Sequence, residues 1–218
     1  ISALQKENKI KNKACYCGRL DPMARGSMLI LENQECKKMN QYLKNNKTYE
    51  FIIVFGLATD TDDIMGLFKN DSSSTNFSIL KQEKIYKTRL KSSIEKILKQ
   101  PEQKFHRYSS YMLRKEEKRK PLWKWEKMGL LKENEIPRKK VKVFNLKELK
   151  KYHTNLKELI QIWINDISIV NNKHNFRQER IIEQYKILLE QIELYNQASK
   201  KDLKACCIKY EIKVSSGF

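Results

Sequence analysis

The sequence predicts an α+β domain built around a mixed sheet, and three observations carry that reading. Strand-like and helical runs interleave along the chain without a strict strand–helix–strand rhythm. The strand-like runs are rich in β-branched and aromatic residues, while the helical runs keep apolar residues three and four apart. No GxGxxG or GxxxxGK stretch is present, which argues against a nucleotide-cofactor fold.

In chain order, "YEFIIVFG" (49–56) is a β-branched and aromatic run closed by Gly56 and predicts a buried strand. "NDSSSTNF" (70–77) is a turn-rich connection with Ser or Thr available to cap the next helix. "TNFSILKQEKIYKTRLKSSIEKILKQ" (75–100) leads to Pro101 as a helix with Leu90, Ile94, Ile97 and Leu98 on its apolar stripe. "VKVF" alternates from Val141 as a strand. Two further helices follow, one on Leu156, Leu159, Ile160, Trp163, Ile167 and Val170, the other on Ile182, Tyr185, Leu189 and Ile192. "NNKHNF" (171–176) is the loop between them. Finally, Ile208, Tyr210, Ile212 and Val214 alternate with Lys209, Glu211 and Lys213, which predicts a half-buried strand with one charged face.

The 218 residues suffice for one domain with a sizeable core. Lys and Arg number 45 against 26 Asp and Glu, a net charge of +19. Solubility needs far less, so the excess points to a polyanionic partner: RNA or DNA first, an anionic membrane second. No apolar run reaches the length of a membrane span and no signal peptide opens the chain, so a soluble, cytoplasmic protein is expected. Cys15, Cys17, Cys36, Cys206 and Cys207 lack paired CxxC spacing and read as reduced thiols. Adjacent Cys206 and Cys207 would point to opposite faces of a strand, which spoils joint metal ligation. The acidic "TDTDD" (59–63) fails the EF-hand pattern, so no metal site is expected. His106, His153 and His174 are scattered and receive no role. Ile1 is not an initiator Met, so the chain reads as a fragment or a processed piece.

The stretch that bears on chemistry is "GRLDPMARG" (18–26). Gly18 and Gly26 permit close backbone approach, and Pro22 biases Asp21 towards an extended conformation. Nearby Arg19 and Arg25 would favour the ionised form of Asp21. Taken alone, the residues allow an ordinary Asp-Pro turn or an acid reserved for chemistry. The stretch resembles the G-x-L-D-P-x-A-x-G motif of the TruB-type pseudouridine synthases at every fixed position. Three more blocks follow in family order. "KTYEFIIVFGLATDTDDIMG" (47–66) is similar to K-x-Y, a strand, Gly, and T-D-T-x-D-x-x-G. "YSSYMLRKEEKRKPLWKWEKMG" (108–129) resembles the family's Y-S-A stretch and the block after it, with Trp123 in a tyrosine position. "IPRKKVKVFNL" (136–146) looks like the proline-arginine lead-in to the next strand.

The resemblance implies a pseudouridine-synthase-like fold: a central mixed, mainly antiparallel sheet flanked by helices, with a helical insertion near 150–205. It implies one catalytic-type domain over 1–218, with no PUA domain following. The implied activity is isomerisation of a specific uridine to pseudouridine, in the T-arm loop of tRNA, by a monomer that needs no cofactor. Asp21 would be the nucleophile, framed by Gly18, Leu20 and Pro22, and Tyr49 would stack on the target base and assist proton transfer. Asp63 would belong to the polar network around the family's catalytic arginine. Tyr16 stands where the family often has His and can still stack on a base, while Arg19, Arg25 and Lys47 are candidates for phosphate contacts. The basic run Arg114 to Lys120, including Arg119 and Lys120, mixes with Trp123 and Trp125 as RNA-contacting surfaces do, or forms a solvated face. "KVSSGF" (213–218) resembles the opening of the S-x-G-T-Y-I-R element and stops before its arginine, so a chain ending at Phe218 is expected to turn over poorly. The family's leading K-P-x-G-x-S/T block is not seen either. Two other readings are a guide-dependent synthase subunit of the dyskerin type and an RNA-binding module without chemistry.

Overall fold

The computed structural model describes residues 6–7, 12–69, 83–99, 102–115, 117–170 and 176–215. The expected connection over 70–77, the first third of the expected 75–100 helix, most of the 171–176 loop and the final Ser216–Phe218 lie outside the described residues.

The principal sheet has three strands in the order β3 (Lys47–Val54), β9 (Lys204–Val214) and β8 (Val143–Asn155). β9 is central because it pairs with both neighbours, from Lys47↔Val214 to Val54↔Cys207 on one side and from Val143↔Val214 to Asn155↔Lys204 on the other. Two-stranded ribbons join β1 (Ala14–Cys17) to β2 (Leu29–Glu32), β4 (Glu102–Lys104) to β7 (Arg138–Lys140), and β5 (Met112–Lys115) to β6 (Lys118–Pro121). The mixed pairing expected from the sequence is not seen: every strand pair among the described residues is antiparallel.

The four longer helices are α1 (Glu83–Lys99), α2 (Leu122–Lys127), α3 (Leu156–Ile169) and α4 (Gln178–Ser199). On one face of the sheet, Cys206, Ile208 and Tyr210 of β9 pack with Phe55, Ile53 and Leu146 beneath Leu90 and Ile94 of α1. Leu98, expected on the same stripe, is instead half exposed. On the opposite face, Ala205 and Cys207 join Leu156, Ile160, Ile164 and Ile167 of α3 and Ile181, Tyr185, Leu188 and Ile192 of α4. The adjacent cysteines therefore lie in two different cores, as the strand reading required.

Two expectations change. "YEFIIVFG" forms an edge strand rather than a buried one: β3 borders only β9, and Tyr49, Phe51 and Ile52 remain exposed. Only Ile53 and Val54, at its far end, reach the two cores. The final strand alternates over 208–214 as expected, with Ile208, Tyr210, Ile212 and Val214 buried and the charged face at Lys209, Glu211 and Lys213, where Lys209 pairs with Glu50 of β3 at 2.6 Å. Ala205 to Ile208 are buried without interruption because both faces are covered there.

The helical insertion is also shorter than 150–205. Lys150 to Asn155 continue β8 against β9, and helix begins only at Leu156. α3 and α4 thus stand in place of the turn of the β8–β9 hairpin, with Asn155 facing Lys204 at their root. Asn155 caps α3 by accepting from the Lys157 and Glu158 amides at 3.0 and 3.4 Å. The return is pinned by Leu156 N to Leu203 O at 2.9 Å and Leu203 N to Asn196 Oδ1 at 2.9 Å. No described helix is long and apolar enough to cross a membrane.

Ile160 is fully buried and Ile162, two residues on in α3, is 55% exposed. Ile160→Ala should cost about 2–5 kcal/mol in urea denaturation. Ile162→Ala should stay within about 0.5 kcal/mol of the parent.

Candidate active site

The residues singled out around Asp21 lie on the 11-residue connection from Gly18 to Met28 that joins β1 to β2. Gly18 leaves β1 at φ +88, a left-handed conformation that a side chain would disfavour. Asp21 opens a tight turn in which its carbonyl accepts from the Ala24 amide at 2.9 Å, with Pro22 in the second position. The turn uses the backbone of Asp21 and leaves its side chain exposed. No described residue forms a hydrogen bond or ion pair with the Asp21 carboxylate.

Neither neighbouring arginine pairs with the Asp21 carboxylate. Arg25 reaches Asp166 of α3 at 3.6 Å, and the Arg19 guanidinium lies 5.6 Å from the centre of the half-buried Tyr16 ring on β1. Both arginines find partners on elements that flank the turn, which leaves Asp21 uncovered. Leu20 and Pro22 are exposed beside it, while Met23 turns inward against the core of α3 and α4. Pro22, Met23, Ala24 and Arg25 form one wall of an open depression of about 300 Å³ whose other wall is Asp166, Ile169 and Val170.

Tyr49 stands on β3 opposite Ile212 of β9, with 39% of its surface exposed. Burial raises its phenol above the ordinary range, and the charge of Asp21 raises it further, which brings these two expected site residues together. Lys47 is half-buried, and its Nζ donates to the Leu43 carbonyl at 3.4 Å rather than standing clear for a phosphate.

The acidic loop after β3 is stitched into a fixed shape. Asp63 Oδ1 accepts from Thr61 Oγ1 at 2.7 Å and from the Met65 amide at 2.8 Å, while Thr59 Oγ1 donates to the Asp63 carbonyl at 2.6 Å. Gly66 closes the loop where no side chain fits, because an added Cβ would collide with the Thr61 hydroxyl and come within 2.6 Å of Thr59 Cβ. Surrounding atoms raise the Asp63 carboxyl above the usual carboxylate range. The two hydrogen bonds oppose that shift, and the Asp21 charge adds to it. Asp63 is nevertheless exposed. Asp21, Tyr49 and Asp63 therefore share one electrostatic neighbourhood.

Three residues that the sequence did not single out complete the loop. Arg177 grips Asp60 with both arms of its guanidinium, Nη1 to Oδ2 at 2.6 Å and Nη2 to Oδ1 at 3.1 Å. Tyr108 donates its hydroxyl to Asp60 Oδ2 at 3.1 Å, and its ring lies 4.9 Å beneath the guanidinium. Asp60 Oδ1 also accepts from the Leu67 amide at 2.9 Å. Burial pushes the Asp60 carboxyl up, but the Arg177 and Leu67 hydrogen bonds and the arginine charge outweigh it and hold the group below the ordinary range. One short loop thus holds two carboxylates shifted in opposite directions. His106, given no role from the sequence, pairs with Asp62 at 3.5 Å and stacks on Tyr108.

The basic run over 114–120 forms the β5–β6 ribbon. Lys120 and Lys115 lie over the Trp125 ring at 4.9 and 5.7 Å, but Trp125 is buried and donates to the Leu113 carbonyl, so it offers no face to a base. Arg119 is exposed. No hydrogen bond, ion pair or ring contact links Arg119 or Lys120 to the Asp21 turn among the described residues. Among the described residues there is also no group of three or more His, Cys, Asp or Glu side chains able to hold a metal.

Residues 6–166 match the TruB family pseudouridylate synthase (N terminal domain). Similar individual proteins include the tRNA pseudouridine synthase B of Endomicrobium trichonymphae, 32% identical over 87 residues, and that of Caldicellulosiruptor saccharolyticus, 39% identical over 56. The corresponding protein of Aquifex aeolicus is 39% identical over 61 residues. These matches cover 39%, 26% and 28% of this chain and only 38%, 20% and 21% of the respective relatives.

Two outcomes follow from the loop geometry. Gly66→Ala should destabilise the protein by about 1–3 kcal/mol in thermal melts, because the new methyl meets Thr59 and Thr61 inside a closed turn. Asp60, whose folded pKa is depressed, contributes stability that is present above the ordinary carboxylate pKa and lost as pH falls through its folded value. Asp60→Asn should therefore cost about 1–3 kcal/mol at neutral pH. The difference from the parent should shrink in acid, as read by melting curves across pH.

Proposed function

Because the chain belongs to the TruB family of pseudouridylate synthases, we propose that it is the catalytic-type domain of an RNA pseudouridine synthase acting on a specific uridine in the T-arm loop of tRNA. The observation that supports this best is the exposed Asp21 carboxylate, set on a hydrogen-bonded turn with no cation or donor bound to it among the described residues, and with the exposed Tyr49 ring in its field.

The reaction breaks the bond between uracil N1 and ribose C1′ and forms one between C5 and C1′. The C5 proton is lost and N1 gains one, so substrate and product are isomers and no oxidant, reductant or cofactor is consumed. Asp21 is the nucleophile that lets the base detach from the sugar, turn and rejoin. Tyr49 lies against the extruded uracil, offsetting the stacking lost when the nucleotide leaves the RNA. Its raised phenol stays protonated near neutral pH and can donate a hydrogen bond to the base.

By family resemblance, Asp63 belongs to a polar network around a cation that pairs with Asp21. An arginine from the family's S-x-G-T-Y-I-R element, whose opening resembles residues 213–218, would supply it. The +19 charge favours RNA as the partner through its phosphates, with Arg19, Arg25 and Arg119 exposed and Tyr16 within reach of Arg19. The protein acts as a monomer in this reading.

In the full-length protein, Asp21→Asn should abolish single-turnover release of tritium from RNA carrying 5-tritiated uridine while RNA affinity stays nearly unchanged. Tritium release by that variant at the parent rate would overturn the assignment. No release by the parent would favour an RNA-binding module without chemistry.

A further inference from the structure

The helix pair α3–α4 carries five Lys or Arg against six Asp or Glu over residues 156–199, in a chain whose net charge is +19. It therefore contributes nothing to the attraction for a polyanion. What it does contribute is a set of contacts with the two loops that present the site residues. Asp166 of α3 holds Arg25 of the Asp21 turn, and Met23 of that turn packs into the core the helices form. Gln184 of α4 accepts from the Phe68 amide at 3.0 Å, and Phe68 meets the buried Tyr185 ring edge-on at 5.1 Å. Arg177, at the start of α4, grips Asp60 across 117 positions of sequence.

The backbone of Arg177 sharpens the point. It stands at φ 63, ψ 25, a left-handed conformation that costs energy for any residue with a side chain. Its side chain does not cap the helix. Asn or Gly would hold this backbone more cheaply, but neither could span Asp60 and Tyr108 with two hydrogen-bonding arms and a flat cation. The strain persists because the guanidinium is fixed by Asp60 on one side and the Tyr108 ring on the other.

We propose that Arg177 is a positioning residue for the isomerisation: by clamping Asp60 and Tyr108 it sets the shape of the loop that carries Asp63, and it makes the helix pair part of the catalytic apparatus. This rests on the pseudouridine synthase reading. The clamp acts on geometry rather than on RNA affinity, since both arms of the guanidinium are used within the protein. A shift of the loop by about 1 Å would lower turnover by about tenfold to a hundredfold.

The test uses the full-length protein with Arg177→Gly, which keeps the left-handed turn and loses the clamp, and Arg177→Lys, which keeps the charge and one bond. Arg177→Gly should lower kcat by about tenfold or more with KM nearly unchanged. Arg177→Lys should recover part of the loss, and adding Asp60→Asn to Arg177→Gly should lower kcat no further. Unchanged kcat in Arg177→Gly would overturn the proposal, and so would a loss carried by KM alone, which would make Arg177 an RNA contact. Amide hydrogen exchange at Leu67, whose N–H is held by Asp60, supplies a readout independent of activity and should speed up in Arg177→Gly. If the parent protein fails to isomerise uridine, the functional reading falls; unchanged exchange at Leu67 would then separately overturn the clamp.

Discussion

From Ala205 to Ile208 every side chain of β9 is buried, alternately in the core beneath α1 and in the core beneath α3 and α4. A strand flanked by two others and covered on both faces fixes much of what surrounds it. Its register with β3 sets where Tyr49 stands, since Tyr49 faces Ile212. Its register with β8 sets where the helix pair is rooted, at Asn155 and Lys204. From that root the helices reach the loop after β3 through Arg177 and the Asp21 turn through Asp166.

The site depends on a deliberate inequality between carboxylates. Asp60 is given an arginine, a tyrosine hydroxyl and a backbone amide, and it holds its charge easily. Asp63, three residues later, has a threonine hydroxyl and one amide, and faces the charge of Asp21. Environments that separate the titration of neighbouring acids are how one fold assigns them different tasks. Here Asp60 braces the loop, and Asp63 keeps only local hydrogen bonds.

Much of this was readable from residue order. "GRLDPMARG" located the turn and its acid, and the K-x-Y and T-D-T-x-D patterns located Tyr49 and Asp63, because each is a local pattern whose shape is decided within a few residues. The spacing of Leu156 to Ile167 and of Ile182 to Ile192 found α3 and α4 for the same reason. What failed was non-local. Nothing in "YEFIIVFG" says whether a second strand lies beyond it, so an edge strand read as a buried one. Lys150 to Asn155 became strand because β9 runs alongside, which their own composition does not announce. Arg177 is a lone arginine after a polar loop, and its partner lies 117 positions away. Arg19 and Arg25, close to Asp21 in sequence, turn to Tyr16 and Asp166 instead.

The placement of α3 and α4 at the tip of the β8–β9 hairpin has a kinetic side. Strands joined by a short turn zip within microseconds, whereas ends separated by a long coil must first be brought together against chain entropy. A helix pair whose own contacts are local collapses early and hands Asn155 and Lys204 to each other at close range. Ordering the helix pair therefore lowers the chain-entropy cost of closing the ladder between Asn155 and Lys204.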